Sequence, residues 1–239
     1  MAPIHFNQQF ASTTQFWSGT DSEENFRENC KIGKSYQKLK DLGWLEPNAI
    51  TYTHNSHGFR NDEFDQQPAG LALGCSHTFG TGILVDQAWP GQLQNMLGQK
   101  VWNLGVGGAA LDTCYRLLEY WIEHLNIKFV ICAVPGISRY EIFANNNWSN
   151  ILPSESDWHN LPWLKDYQKN YLLYNQNSEL NRQKNLQAMQ HICHKHNVPF
   201  YYDLLEDFAD AALARDLLHC GADAHEKLAN KFLQFTKDQ

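Results

Sequence analysis

Residues 70–75, GLALGC, residues 100–105, KVWNLG, and residues 127–135, IKFVICAVP, decide the fold. Each is a short apolar run that ends in glycine or proline, and each is separated from the next by a longer amphipathic stretch. AWPGQLQNMLG (88–98) fills the first gap. In the second, Leu111, Cys114, Leu118, Trp121, Ile122 and Leu125 recur at three- and four-residue steps and make one apolar helical face. Strands alternating with helical patterns signal parallel strands joined by crossover helices. IKFVICAVP is apolar almost throughout, as expected of a central strand covered on both faces.

Outward from this core, a helix over 179–194 precedes the short run VPFYYDL (198–204), and a last helix over 223–235 carries Leu228, Phe232 and Phe235 on one side. Residues 66–239 therefore read as one domain. Residues 1–65 lack clear periodicity and read as an extension wrapped on it. Residues 139–178 mix turn residues with Trp148, Trp158, Trp163 and several tyrosines, and read as an insertion leaning over a site.

Charge narrows the function. Asp and Glu number 26 against 19 Lys and Arg, a net charge of −7, which argues against a nucleic-acid partner. The first 30 residues lack the basic start and apolar middle of a secretory signal, and no run approaches the roughly 18 apolar residues of a membrane span. A cytoplasmic location without membrane association is expected. The 6 cysteines are scattered without a CxxC pair, which suits reduced thiols rather than a disulfide framework.

Three segments can carry chemistry together. LALGCSHTFGTG (71–82) is a strand whose tip presents Ser76 to a helix start, where free N–H groups collect; turn chemistry alone is the alternative. VWNLGVGGAALD (101–112) supplies glycines at 105, 107 and 108, either for a positive-φ turn or for close backbone approach to an oxyanion, and lacks the GxGxxG spacing of a dinucleotide site. ARDLLHCGADAHEKLA (214–229) sets Asp216 three residues before His219, a spacing that lets the carboxylate orient the imidazole so that Nε2 can take a proton from a hydroxyl. Nucleophile, oxyanion donor and oriented base then occur in an order a serine hydrolase can use.

These blocks resemble the SGNH/GDSL hydrolases. Gly74-Cys75-Ser76 is similar to the family's G-D-S, Asn103 to Gly108 to its glycine block, Asp216 to His219 to its D-x-x-H, and THNSHGFRNDEF (53–64) to an N-x-x-G-x-R segment that precedes the first block in some members. GTDSEEN (19–25) and GFRNDEF (58–64) are similar to stretches of marine-phage members, which implies a host cytoplasm. The resemblance implies a three-layer α/β/α sandwich with a parallel, flavodoxin-like sheet. It also implies Ser76 as nucleophile, the Ser76 and Gly108 N–H groups as oxyanion hole, His219 as base, Asp216 as its orienter, and no cofactor.

This chain departs from the pattern at two places. Cys75 replaces the Asp of G-D-S, and the third block, expected near Pro135 to Arg139, has no Asn. One oxyanion donor is thus unaccounted for, with Ser138, Arg139, Asn145, Asn146 and Asn147 as candidates. Arg139 is favoured, because its fork of donors can reach an oxyanion or a substrate carboxylate; pairing with Glu141 is the alternative. Arg60 is a second candidate for binding an acidic or sugar substrate, and Cys75 a rival nucleophile whose side chain should point away from the tip. His191, Cys193, His194 and His196 form no fixed-spacing ligand set, so no metal is expected. The expected activity is hydrolysis of a small acyl ester, O-acetyl groups on a glycan included, through an acyl-Ser76 intermediate. The alternatives are acyl transfer by the same fold and a non-catalytic glycan-binding module.

Overall fold

The computed structural model describes residues 8–144, 147–151, 162–172, 174–205 and 212–237. In chain order its elements are β1 (Thr14–Gln15), α1 (Glu23–Lys31), α2 (Gly33–Asp41), β2 (Tyr52–Thr53), β3 (Ala69–Gly74), α3 (Ser76–Phe79), α4 (Trp89–Leu97), β4 (Val101–Asn103), α5 (Leu111–Trp121), β5 (Ile127–Val134), β6 (Tyr140–Ala144), β7 (Asn147–Ile151), α6 (Pro162–Tyr167), α7 (Asn175–Lys195), β8 (Phe200–Leu204) and α8 (Ala222–Lys237).

Strands β4, β3, β5 and β8 form a parallel sheet in that spatial order. Numbered within the sheet this is 2-1-3-4, the flavodoxin-like order, with a reversal of direction between β3 and β5. The period of two along each strand divides the core. Leu71, Leu73, Val130 and Cys132 face Leu117, Leu118 and Trp121 of α5 and Met189 of α7. Ala72, Phe129, Ile131 and Ala133 face Trp89 and Leu93 of α4 and Leu228 and Phe232 of α8. Helices on both faces of a parallel sheet make the three-layer α/β/α sandwich. β5 lies between β3 and β8 and is buried apart from Lys128, as its unbroken apolar run requires.

Residues 8–65 hold two nine-residue helices and a short antiparallel pair, β1 with β2, that pattern reading leaves blank. Each helix buries one residue only, Phe26 in α1 and Leu39 in α2, so neither has an apolar stripe to read. The local signal is the cap: the Ser22 hydroxyl accepts from the Asn25 N–H, with Glu23 and Glu24 in the first turn. The 139–178 segment contributes an antiparallel hairpin, β6 with β7. Among the described residues no helix is long and apolar enough to cross a membrane.

Candidate active site

Ser76, the glycine block, Arg139 and the Asp216–His219 loop all follow the carboxyl ends of strands of the parallel sheet, where doubly wound folds bind ligands. Gly74 closes β3 with φ +153, a conformation L side chains rarely adopt. A Cβ there would fall 2.1 Å from Thr78 Oγ1 and 2.7 Å from the Ala133 carbonyl. That close approach presses α3 against the sheet, with Ser76 as its first residue. Cys75 points the other way, into the core beneath α5, and is buried, so this thiol is not presented to the cleft.

The return loop after β8 brings His219 and Asp216 to Ser76. His219 Nε2 lies 2.7 Å from Ser76 Oγ, and His219 Nδ1 lies 2.6 Å from Asp216 Oδ2. Leu217 takes φ +57, and this left-handed residue turns the loop so that the Leu218 and His219 N–H groups both donate to Asp216 Oδ1, at 3.0 and 2.9 Å. The Thr20 hydroxyl completes the set by donating to Asp216 Oδ2 at 2.6 Å. Burial alone would raise the Asp216 carboxyl, but the hydrogen bond and charge of His219, with the Thr20 and backbone donors, outweigh it and hold it at about 2. Asp216 is therefore an anion at any working pH, fixed to the Nδ1 side of the imidazole.

Thr20 belongs to the N-terminal extension, and its place is secured next door. Arg215 donates from Nε and Nη2 to Asp21 at 2.9 and 2.7 Å, from Nη1 to the Pro47 carbonyl at 2.6 Å and from Nη2 to the Phe16 carbonyl at 2.8 Å. Tyr52 adds a hydroxyl donor to Asp21 at 2.6 Å and accepts from the Gly82 N–H at 2.8 Å. Two consecutive loop residues, Arg215 and Asp216, thus hold two consecutive extension residues, Asp21 and Thr20. Nothing in the GTD string itself marks Thr20 for this role, because its partner lies 196 positions away.

Arg60 is placed differently from its expectation as a substrate ligand. Its guanidinium is buried and donates to the carbonyls of Thr51, Phe79, Gly80 and Ile83, stacked over the Tyr52 ring at 4.4 Å. It ties the extension to the end of α3 and has no access to the cleft beside Ser76.

The glycine block follows β4. Only Gly108 of its three glycines has positive φ, +73. Gly105 is required by proximity instead: a Cβ there would meet the Phe79 N at 2.3 Å. Asn103 is consumed in holding this turn, accepting from the Gly105 N–H at 2.9 Å and donating to the Thr78 carbonyl at 2.8 Å. Among the described residues neither the Ser76 N–H nor the Gly108 N–H has a protein acceptor. Gly107 has open space where a Cβ would be.

A cleft of about 470 Å³ contains Ser76, His219, Thr20, Gly108, Arg139 and Trp148 in its wall. The expected alternative for Arg139, pairing with Glu141, is not what the structure has: Glu141 accepts from Arg116 Nε and Nη2 at 2.8 and 2.7 Å. Asn150 anchors the same hairpin to α5, accepting from the Ala110 N–H at 3.1 Å and the Thr113 hydroxyl at 2.8 Å. Of the other oxyanion candidates, Asn145 and Asn146 lie outside the described residues, as does Trp158.

Two further histidines sit close by. His77 is 5.0 Å from the His219 ring, and burial, then the charges of His219 and Arg139, push it down to about 4. His225 Nδ1 accepts from the Trp89 N–H at 3.1 Å; burial, then the charges of His77 and His219, push it down to about 3. Both imidazoles are neutral near pH 7. Among the described residues no group of three His, Cys, Asp or Glu side chains could hold a metal ion. In the His191–His196 run Cys193 packs into the core, and burial pushes its thiol up to about 12.

No family model and no curated protein matches the chain. Solved structures to which it is similar include a family two carbohydrate esterase from Clostridium thermocellum, at 11% identity over 73% of this chain and 64% of that one, with a TM-score of 0.42. A psychrotrophic esterase from a Pseudoalteromonas species aligns at 14% identity over 73% of this chain and 98% of that one, TM-score 0.39. A G-D-S-L family protein from Desulfitobacterium hafniense aligns at 13% identity over 70% and 98%, TM-score 0.37.

Proposed function

We propose that the chain is a serine esterase of SGNH/GDSL type. The observation that carries this reading is the unbroken relay from Ser76 Oγ through His219 to Asp216, with contacts of 2.7 and 2.6 Å, at the mouth of a cleft. His219 Nε2 takes the Ser76 proton as Oγ attacks the ester carbonyl, and Asp216 stabilises the imidazolium. The oxyanion forms against the Ser76 and Gly108 N–H groups, both available for it. His219 then gives the proton to the departing alkoxide, leaving acyl-Ser76. Water, deprotonated by the same nitrogen, attacks that ester, and His219 returns the proton to Ser76 Oγ as the acid leaves. The substrates are small acyl esters, O-acetyl groups on a glycan among them, and no cofactor takes part.

A fluorophosphonate probe followed by peptide mass mapping tests the assignment. Label on Ser76 that is lost in His219→Ala is the expected result. Label on Cys75, or no label on folded protein, overturns the reading.

A further inference from the structure

The cleft differs in charge from the protein that surrounds it. Although the chain carries a net charge of −7, no Asp or Glu lines the cleft among its described residues, and Arg139 does. The acidic groups within reach are already committed. Asp216 is buried and shares its two oxygens among four donors. Glu141 is held by Arg116, and Asp112 accepts from Asn181 and Asn185 on the far side of α5.

Arg139 is thereby left without an ion-pair partner among the described residues. Its Nη1 is a buried donor with no acceptor, and the Nε1–H of Trp148, also in the cleft wall, is a second. The Nε1–H groups of Trp102 and Trp121 are also unpaired, within the core, but the Arg139 and Trp148 orphans share the wall of an open cleft, where an acceptor can arrive with a ligand. The Arg139 N–H bonded to the Gly136 carbonyl at 3.2 Å closes the turn that leads into β6. Gly107, with nothing where its Cβ would be, leaves the wall beside Gly108 open. His77 and His54 are both pushed down by burial, so near pH 7 neither adds a charge that would compete with Arg139 for an anion.

We infer that the esters this site prefers carry a carboxylate, which binds Arg139 with the Trp148 N–H beside it while the ester carbonyl lies against Ser76. The planar guanidinium presents paired donors that match a carboxylate, and a charge-assisted contact in a partly desolvated cleft is stronger than the same contact in water. This inference rests on the esterase reading and narrows its substrate class.

The test compares, by pH-stat, ethyl propanoate with monoethyl succinate, which share a leaving group and differ by the distal carboxylate. Wild type is expected to favour the succinate monoester in kcat/KM by on the order of tenfold, and rising salt should shrink that ratio. Arg139→Gln should bring the ratio close to one, chiefly by raising KM for the succinate ester, and Arg139→Lys should restore part of it. An equal fall of kcat on both esters in Arg139→Gln would mean that Arg139 serves the oxyanion, and overturns the inference. So does a wild-type enzyme without preference. Calorimetric titration of succinate into Ser76→Ala, with and without Arg139→Gln, reads the subsite without turnover. Binding that weakens about tenfold with Arg139→Gln sustains the subsite even where neither ester is hydrolysed, in which case only the esterase reading falls. No binding to either protein overturns the subsite.

Discussion

The Thr20 hydroxyl and the His219 imidazole converge on one oxygen of Asp216, each at 2.6 Å. A residue of the extension therefore helps set the angle at which the carboxylate meets the imidazole, and on the esterase reading Thr20 would act as a positioning residue. Thr20→Val keeps the shape and removes the donor. We expect kcat to fall about three- to tenfold with KM little changed, a fraction of what a hydrogen bond to a charged group can contribute. Thr20→Ser should recover most of the rate, which a merely structural loss would not permit.

Asp216 does more than face the imidazole. Because its Oδ1 accepts from two loop N–H groups and its Oδ2 from Thr20 and His219, the amide NH2 of Asp216→Asn turns a donor toward donors on one side or the other, and no other described group lies closer than Thr20, at 3.4 Å, to reorient His219 Nδ1. Turnover of 4-nitrophenyl acetate should drop by roughly 10²–10⁴. Circular dichroism and a denaturation midpoint measured on the same sample separate lost chemistry from lost fold.

At Gly74 the conflict is steric. Gly74→Ala places a methyl 2.1 Å from Thr78 Oγ1 and 2.7 Å from the Ala133 carbonyl, at a φ that alanine avoids. The helix carrying Ser76 must move off the sheet, at a cost of about 3 kcal/mol. Urea denaturation reads the stability, and fluorophosphonate labelling should slow in whatever protein remains folded.

Stability should fall with acid earlier than carboxylates alone would dictate. His225 and His77 are held near 3 and 4 in the folded state, so between those values and 6.5 the unfolded chain binds more protons, and stability drops as pH falls. Between pH 6.5 and 5 each contributes a loss of about 2 kcal/mol. Asp216, held at about 2, adds its loss only below the ordinary carboxylate value of 3.8. Urea midpoints at pH 7, 6 and 5 should therefore decline steadily, and His225→Gln should flatten the decline.

The Arg215–Asp21 pair is the clasp of the extension, almost wholly buried. Asp21→Asn leaves the guanidinium short of its counter-charge and should cost about 3–5 kcal/mol by chemical denaturation. Esterase activity should be lost at lower denaturant than the helical signal, since Thr20 is released with Asp21.

The strands of the sheet and the helices of both outer layers are legible in the sequence because their signals are local, whereas the order of the strands follows only from the family resemblance. GLALGC, KVWNLG and IKFVICAVP each bury both faces, and the face of α5 repeats at helical spacing. Ser76, Asp216 and His219 lie at positions where short-range spacing and strand ends direct attention. Thr20, Asp21 and Arg215 escape notice for the opposite reason. Their partners are far along the chain, and a threonine before a helix cap, or an arginine before D-x-x-H, looks like ordinary solvated sequence. Arg60 misleads in the same way, since its partners are four backbone carbonyls and none of them can be read from residue type.

The pairing of Thr20 and Asp21 with Arg215 and Asp216 spans 194 and 196 positions. During synthesis the extension must wait, without its anchors, while the strands and crossover helices are made, and loop closure over such a distance comes late. The sheet can assemble before the relay exists. A nascent chain would then be a folded scaffold with an unaimed serine, and the hydrolysis proposed above would begin only when these two distant segments meet.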